Sequence, residues 1–108
     1  GYNGEPMKSD LTQKLIPTDF EVSQNYPNPF NPATTIDLAI PNACHWQMAI
    51  YNINGQIVRQ FEGDCEAGYV KVTWDGTDEH GYQVASGIYF YKVSAGQFIE
   101  TKKMTLLK

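Results

Sequence analysis

Three carboxylates stand close together in one glycine-containing stretch of the sequence. Asp75, Asp78 and Glu79 have the spacing at which carboxylate oxygens in a loop can bind Ca²⁺. The stretch does not match an EF-hand loop, because Thr77 and His80 hold its third and sixth positions. The alternative is a turn in which the aspartates accept hydrogen bonds from nearby backbone N–H groups. Both interpretations predict a loop here.

The two histidines, His45 and His80, have the side chains suited to acid–base chemistry near neutral pH. His45 follows Cys44, which gives a thiol nucleophile and a base side by side. No third orienting residue lies near this pair in sequence, and neither histidine belongs to a Gly-x-Ser-x-Gly or His-Glu-x-x-His motif. The sequence contains no nucleophile–base–orienter set, phosphate loop or metal motif. It therefore predicts a protein that is not an enzyme and uses no cofactor.

The two cysteines, Cys44 and Cys65, flank a predicted β-hairpin around Asn54-Gly55. A two-residue turn there would place the cysteines opposite each other, at a pair position with Cα atoms about 4.5 Å apart. Since that separation suits a disulfide, we predict a Cys44–Cys65 bridge that stabilises the fold by about 2–4 kcal/mol. A three-residue turn with a bulge would shift the register by one and keep the pair close. The alternative is two free buried thiols.

Seven short strands separated by turn residues are predicted, a pattern typical of an all-β, Ig-like or fibronectin III-like β-sandwich. The predicted strands are 20–23, 34–40, 45–51, 56–62, 69–74, 88–94 and 98–107. Residues 1–17 lack a sustained apolar period, so they are predicted to be a linker from an upstream domain. Residues 18–108 are predicted to form one domain.

Composition excludes several classes of protein. The chain has 108 residues, of which 42% are hydrophobic, so it can bury a core and is not disordered. Its net charge of −4 gives no electrostatic reason to bind nucleic acid or an anionic membrane. No apolar run approaches the roughly 20 residues of a transmembrane helix, and no signal peptide is recognisable.

Aromatic residues are numerous enough to form a platform for glycans. Strand alternation instead predicts that Trp46, Trp74, Tyr89 and Tyr91 belong to the core. The aromatic residues predicted to point outward are Tyr69, Tyr82 and Phe90, and three scattered rings are ordinary for a protein surface. Glycan binding is therefore the lesser expectation.

The segment from Gln24 to Leu38 reads QNYPNPFNPATTIDL. Its prolines, Pro27, Pro29 and Pro32, fix their own φ angles, remove backbone donors and push the preceding residues into extended conformations. No helix or central strand can pass through it. We predict a stiff crossing between two strands, with Tyr26 and Phe30 available to attach it to the core.

This segment resembles the opening motif of the flagellar hook-cap-type Ig-like domain and of the closely similar type IX secretion (Por) C-terminal sorting domain. The later motifs follow in the same order: Tyr51-Asn52-x-x-Gly55-Gln56, Trp74-Asp75-Gly76-x-Asp78, Ala85-Ser86-Gly87-Ile88-Tyr89-Phe90-Tyr91 and Lys103-Met104-x-Leu106-Leu107-Lys108. The resemblance covers roughly residues 18–108. The positions that carry it as structural residues are Pro27, Pro29, Phe30, Pro32, Gly55, Trp74, Gly87 and Tyr89.

The resemblance implies a non-catalytic C-terminal module of a larger secreted protein, used for type IX sorting and cell-surface attachment. The implied partners are the upstream domain of the same polypeptide and the secretion or anchoring machinery at the outer membrane. The implied location is outside the cell, or on the outer surface, of a Gram-negative-type bacterium. The alternatives are a structural spacer or assembly domain like that of the hook cap, and a glycan- or protein-binding module of a secreted hydrolase.

Three lysines crowd the last predicted strand. Lys102, Lys103 and Lys108 resemble the lysine-bracketed ending of sorting domains, so they are the candidate docking residues. The alternative is a charged edge strand that blocks unwanted strand pairing. Trp46 and the Cys44–Cys65 pair depart from the family pattern. This indicates that the third and fourth strands pack in a way particular to this protein.

Overall fold

A computed structural model describes residues 16–108 and arranges them as two packed antiparallel β-sheets. The strands are β1 (Glu21–Val22), β2 (Thr34–Ile40), β3 (Cys44–Tyr51), β4 (Ile57–Cys65), β5 (Gly68–Trp74), β6 (Gly87–Ala95) and β7 (Phe98–Leu106). One sheet has the order β1-β2-β5 and the other β4-β3-β6-β7. The predicted all-β, Ig-like sandwich of seven strands is confirmed. Apart from its last two residues, the predicted linker 1–17 lies outside the described residues.

The core lies between the sheets and follows the alternation of the strands. Ile36, Leu38 and Ile40 of β2 pack in one cluster with Met48 and Ile50 of β3. The cluster is completed by Val22, Phe30, Trp46, Val72, Trp74, Tyr89, Tyr91, Val93, Ala95, Met104 and Leu106. As predicted, both tryptophans are buried, and so are Tyr89 and Tyr91. Within residues 16–108 the chain forms no helix long and apolar enough to cross a membrane.

The hairpin of β3 and β4 turns through three residues, not two. Gly55 donates to the Asn52 carbonyl at 3.0 Å, and its φ of 81° lies in the left-handed region that glycine tolerates. The Asn52 N–H donates to the Gln56 carbonyl at 3.0 Å, which closes the turn. A register shift near Ile50 and Tyr51 then compensates for the longer turn. The turn is therefore the three-residue alternative with a bulge, but the register shift leaves Cys44 and Cys65 directly opposite each other, as expected for the two-residue turn.

Trp46 is accommodated by the residue opposite it in the ladder, which is Gly63. A Cβ atom at position 63 would lie 3.2 Å from three atoms of the indole ring. The glycine therefore provides the space that a large residue on β3 requires.

Candidate functional site

The proline-rich segment runs along the edge of the last strand. Phe30 donates its backbone N–H to the Thr105 carbonyl at 2.9 Å and accepts from Leu107 N–H at 3.0 Å, in a parallel bridge with Leu106. The Asn28 side-chain oxygen accepts the Thr105 N–H at 3.0 Å. Because an unpaired strand edge invites pairing with another chain, this segment closes the corresponding part of the β7 edge.

Three motif residues that are distant in sequence meet at one end of the sandwich. The ring centroids of Phe30 and Trp74 lie 5.6 Å apart, and those of Trp74 and Tyr89 lie 5.4 Å apart in an edge-on arrangement. The Trp74 indole N–H donates to the Thr77 carbonyl at 2.8 Å, and the Tyr89 hydroxyl donates to the Ala85 carbonyl at 2.6 Å. The cluster therefore joins the proline-rich segment to the loop between β5 and β6.

Tyr91 and Asn25 attach the beginning of the proline-rich segment to the four-stranded sheet. The Tyr91 hydroxyl accepts the Asn25 backbone N–H at 3.0 Å and donates to the Ser23 carbonyl at 2.8 Å. The Asn25 side chain donates to the Pro27 carbonyl and to the Thr34 hydroxyl. Burial raises the pKa of the Tyr91 hydroxyl to about 12, so it stays protonated and can keep donating even at alkaline pH.

Tyr26 does not enter the core, unlike Phe30. It is 44% exposed on the outer side of the three-stranded sheet. Its hydroxyl donates to Asp37 at 2.9 Å and accepts from the Lys71 ammonium at 2.9 Å, while Lys71 also pairs with Asp37. The two aromatic residues of the motif thus hold the segment from opposite sides of that sheet.

Gly76 allows the proline-rich segment to approach the β5–β6 loop. Its φ is +80°, and a Cβ atom there would lie 3.1 Å from the Pro32 carbonyl oxygen. Gly81 of the same loop has a φ of +86° and no atom within 4 Å of such a Cβ. The two glycines thus share the backbone requirement but differ in packing.

We expect Gly76→Ala to destabilise the fold more than Gly81→Ala. Both substitutions place a side chain on a residue with a left-handed backbone conformation, which costs about 1–2 kcal/mol. Only Gly76→Ala adds the clash with the Pro32 carbonyl oxygen. Urea denaturation of the two variants measures the difference. Equal losses of unfolding free energy would show that the contact with Pro32 does not matter.

The three candidate docking lysines do not form one cluster. Lys102 lies on the inner side of β7 and its ammonium pairs with Glu100 at 3.1 Å. Lys103 points to the opposite side and is exposed. Lys108 is also exposed, and its backbone N–H donates to the Ser86 hydroxyl at 3.1 Å. Lys103 and Lys108 remain candidates, whereas the Lys102 ammonium is engaged within the domain.

The three carboxylates of the β5–β6 loop bond to different parts of the protein. Asp75 accepts from the Thr77 N–H and hydroxyl, and Asp78 accepts from the N–H groups of His80 and Tyr82. These bonds lower the pKa of both aspartates. The Glu79 carboxylate accepts the Gln60 N–H at 2.7 Å, on the edge of β4. Within residues 16–108 no group of three or more His, Cys, Asp or Glu side chains is placed to hold a metal, so the geometry favours the turn interpretation.

The predicted disulfide is not present. Cys44 and Cys65 are partners in the β3–β4 ladder, as predicted, but both are free thiols. The Cys65 thiol donates to the Glu66 carbonyl at 2.7 Å instead. Burial raises the pKa of this thiol, with a further contribution from Cys44, which favours its protonated form. Opposed positions in a ladder allow a bridge without requiring one, and register alone could not separate the alternatives.

His45 is held between two carboxylates on the exposed face of the four-stranded sheet. Its Nδ1 lies 2.8 Å from Asp64 and its Nε2 lies 2.9 Å from Glu62. The hydrogen bond with Asp64, followed by that with Glu62, raises the pKa of the imidazole above 6.5. Since its neighbours orient both nitrogens and no thiol bonds to it, the Cys44–His45 nucleophile pair does not form.

We expect Asp64→Asn to lower the His45 pKa more than Glu62→Gln does, because Asp64 makes the larger contribution. Because the folded-state pKa lies above the unfolded value, the interaction of His45 with Asp64 and Glu62 stabilises the fold below about pH 6.5. This stabilisation is lost as the pH rises through the folded-state pKa. An NMR titration of the His45 ring measures both variants. If neither substitution changes the His45 pKa, the two carboxylates do not stabilise the protonated imidazole.

The outward aromatic residues are dispersed, as the sequence predicted. Tyr69 is 59% exposed on β5 of one sheet, Phe90 is half-buried on β6 of the other, and Tyr82 is 71% exposed in the loop between these strands. They do not form a platform. Sequence reasoning overlooked Tyr51, which lies opposite Phe90 on the neighbouring strand, although its position after buried Ile50 signals an outward side chain.

The two packed sheets and the closed edge of β7 define an Ig-like β-sandwich domain. The sequence model of the FlgD Ig-like domain family matches residues 30–98 of the 108-residue chain. The chain therefore belongs to the FlgD Ig-like domain family. A comparison with curated proteins finds no match.

Several solved structures share the fold. Dimeric latent PorU from Porphyromonas gingivalis aligns with a TM-score of 0.67 and 17% identity, over 84% of this chain and 10% of that one. PorZ, a surface component of the type IX secretion system of the same organism, aligns at 0.54 and 21%, over 82% and 11% of the two chains. FlgD from Xanthomonas campestris aligns at 0.57 and 24%, over 84% and 64%. The chain thus spans about a tenth of the two Por proteins and less than two thirds of FlgD.

Proposed function

We propose that this chain is a non-catalytic Ig-like module of a larger secreted bacterial protein, and that it directs type IX sorting and attachment to the outer cell surface. Its partners are then the upstream part of the same polypeptide and the secretion or anchoring machinery at the outer membrane. The similarity to PorU and PorZ supports this proposal at the level of fold.

The observation that carries the proposal is the construction of β7. Met104 and Leu106 are buried and hold the strand in the sandwich, while Lys103, the residue before Met104, lies on the exposed face. Phe30 and Asn28 occupy the edge of the strand near this lysine. A machine that recognises the folded domain can therefore reach the Lys103 side chain, but not the strand edge at Thr105.

Deleting Lys103 to Lys108 would be a poor test, because it removes Met104 and Leu106 from the core and takes the backbone partners of Phe30 away. The sharper test reverses one charge. Lys103→Glu and Lys92→Glu change the net charge equally, and both lysines are exposed on the same sheet face. Each variant is fused to a reporter with a signal peptide and produced in a host with a type IX system.

We expect the Lys103→Glu fusion to accumulate in the periplasm while the Lys92→Glu fusion is exported like the wild type. Fractionation and immunoblotting measure the distribution of the reporter. Equal export of both variants would rule out docking through Lys103, and equal retention would point to a general charge effect.

A structural spacer or assembly module, like the one in the hook cap, is the second candidate. The match to the FlgD Ig-like domain family favours it. On this hypothesis the reporter fusion stays in the periplasm of the type IX host whichever residue stands at position 103.

A further inference from the structure

The outer face of the four-stranded sheet has a shallow depression that the proposed sorting role does not use. Its volume is about 230 Å³, and its lining includes Gln47, Ala49, Tyr51, Gln60, Glu62, Lys92 and Ser94. Sites for drug-sized ligands measure about 300–1,000 Å³. The depression is therefore suited to one small ring or to a single unit of a longer chain.

The depression follows from the register of three strands. Ala49 of β3 lies opposite Gln60 of β4 on one side and Lys92 of β6 on the other. In the next outward-facing row, Gln47 lies opposite Ser94. A short methyl group surrounded by longer polar side chains leaves a hollow with an apolar floor and polar walls.

An apolar strip borders the depression on one side. Tyr51 lies opposite Ile57 on β4 and opposite Phe90 on β6, so the three side chains form one row across the sheet. Ile57 is 49% exposed, and Tyr51 and Phe90 are half-buried. An aromatic ring at the wall of a polar hollow suits a ligand with one apolar face and polar edges.

The polar side chains at the depression have hydrogen-bonding capacity to spare. Within the described part of the chain, the side chains of Gln47, Lys92 and Ser94 form no hydrogen bond or ion pair. Amide, hydroxyl and ammonium groups together supply both donors and acceptors, as a ligand rich in hydroxyl groups requires.

The charges at the depression favour a neutral ligand. Its lining contains one ammonium group, that of Lys92, and one carboxylate, that of Glu62, so the charges of the lining side chains sum to zero. The chain as a whole carries a net charge of −4, which disfavours anions.

We propose that this depression binds a neutral saccharide unit. One face of the sugar ring lies against Tyr51 and Ala49, and its hydroxyl groups bond to Gln47, Gln60 and Lys92. This activity is separate from sorting, since Lys103 lies on β7 and does not line the depression. Either proposal can fail without the other.

The test is an NMR titration of the ¹⁵N-labelled 108-residue chain with maltotetraose, cellotetraose and mannotetraose, and with tetragalacturonate as the acidic counterpart. We expect at least one neutral oligosaccharide to shift the amide signals of Gln47, Ala49, Gln60 and Lys92. Its affinity should be independent of salt, because a neutral sugar forms no ion pair that salt could screen.

Two variants and a control locate the site. Ala49→Leu fills the floor and Tyr51→Ala removes the ring, so each should weaken binding roughly tenfold or more. Tyr82→Ala removes an exposed ring in the β5–β6 loop and should bind like the wild type. The proposal is overturned if no neutral sugar shifts these amides at about 10 mM, if only tetragalacturonate binds, or if folded Ala49→Leu and Tyr51→Ala bind like the wild type.

Discussion

Replacing Trp74 by alanine is expected to lower the free energy of unfolding by about 3–5 kcal/mol, the usual cost of removing a buried aromatic side chain. Trp74 is fully buried and contacts both Phe30 and Tyr89. Its indole N–H also satisfies the Thr77 carbonyl. Since a domain of this size is stable by about 5–15 kcal/mol, the loss is a large part of the total.

Chemical denaturation followed by the fluorescence of the remaining Trp46 measures this effect. Trp74→Phe keeps a ring in the cluster and loses the hydrogen bond to Thr77, so it should cost less than the alanine variant. Tyr82→Ala is the surface control, because that side chain is 71% exposed. A loss below about 1 kcal/mol for Trp74→Ala, typical of a surface substitution, would contradict the central place of the cluster.

Replacing Tyr91 by phenylalanine is expected to cost about 2–4 kcal/mol, although only one oxygen atom is removed. The substitution leaves the Asn25 N–H and the Ser23 carbonyl without their partner. An unsatisfied buried group costs about 1–3 kcal/mol. Tyr89→Phe is the matched control, because it loses one bond to the Ala85 carbonyl in an exposed loop residue, where water can replace it.

The same hydroxyl predicts a dependence on alkaline pH. Its folded pKa of about 12 lies above the ordinary value of 10.0, so its contribution to stability is complete below pH 10 and is lost as pH rises towards 12. Denaturation curves of the wild type and of Tyr91→Phe, measured across this range, isolate the effect. A difference between the two proteins that stays constant with pH would contradict the assignment.

Strand positions could be predicted wherever apolar alternation was clear. The second strand was predicted at residues 34–40, and its bounds are Thr34–Ile40, because its alternation ends at Pro41. The fourth strand continues to Cys65, three residues beyond its prediction. Gly63 and Asp64 carry no apolar signal, and their pairing with β3 extends the strand.

The role of the proline-rich segment could be predicted in part. Its prolines exclude regular structure, and the burial of Phe30 agrees with its attachment to the core. Its contact with β7 joins residues more than seventy positions apart, as in the bond between Asn28 and Thr105. No local pattern in the sequence encodes such a contact.

Strand alternation also separates two of the three candidate docking lysines. Neighbouring residues of a strand point to opposite faces, so Lys102 and Lys103 could not belong to one surface. The prediction of a Cys44–Cys65 bridge was wrong because register places two thiols together without deciding their oxidation state.

The most direct measurement of the proposed function compares one reporter fusion in two hosts. Residues 1–108 follow a reporter with a signal peptide, in a strain with an intact type IX system and in an otherwise identical strain without it. Protease treatment of whole cells measures the exposed fraction of the reporter. Our account predicts exposed or released reporter in the intact strain and periplasmic reporter in the other, whereas the same distribution in both strains would contradict it.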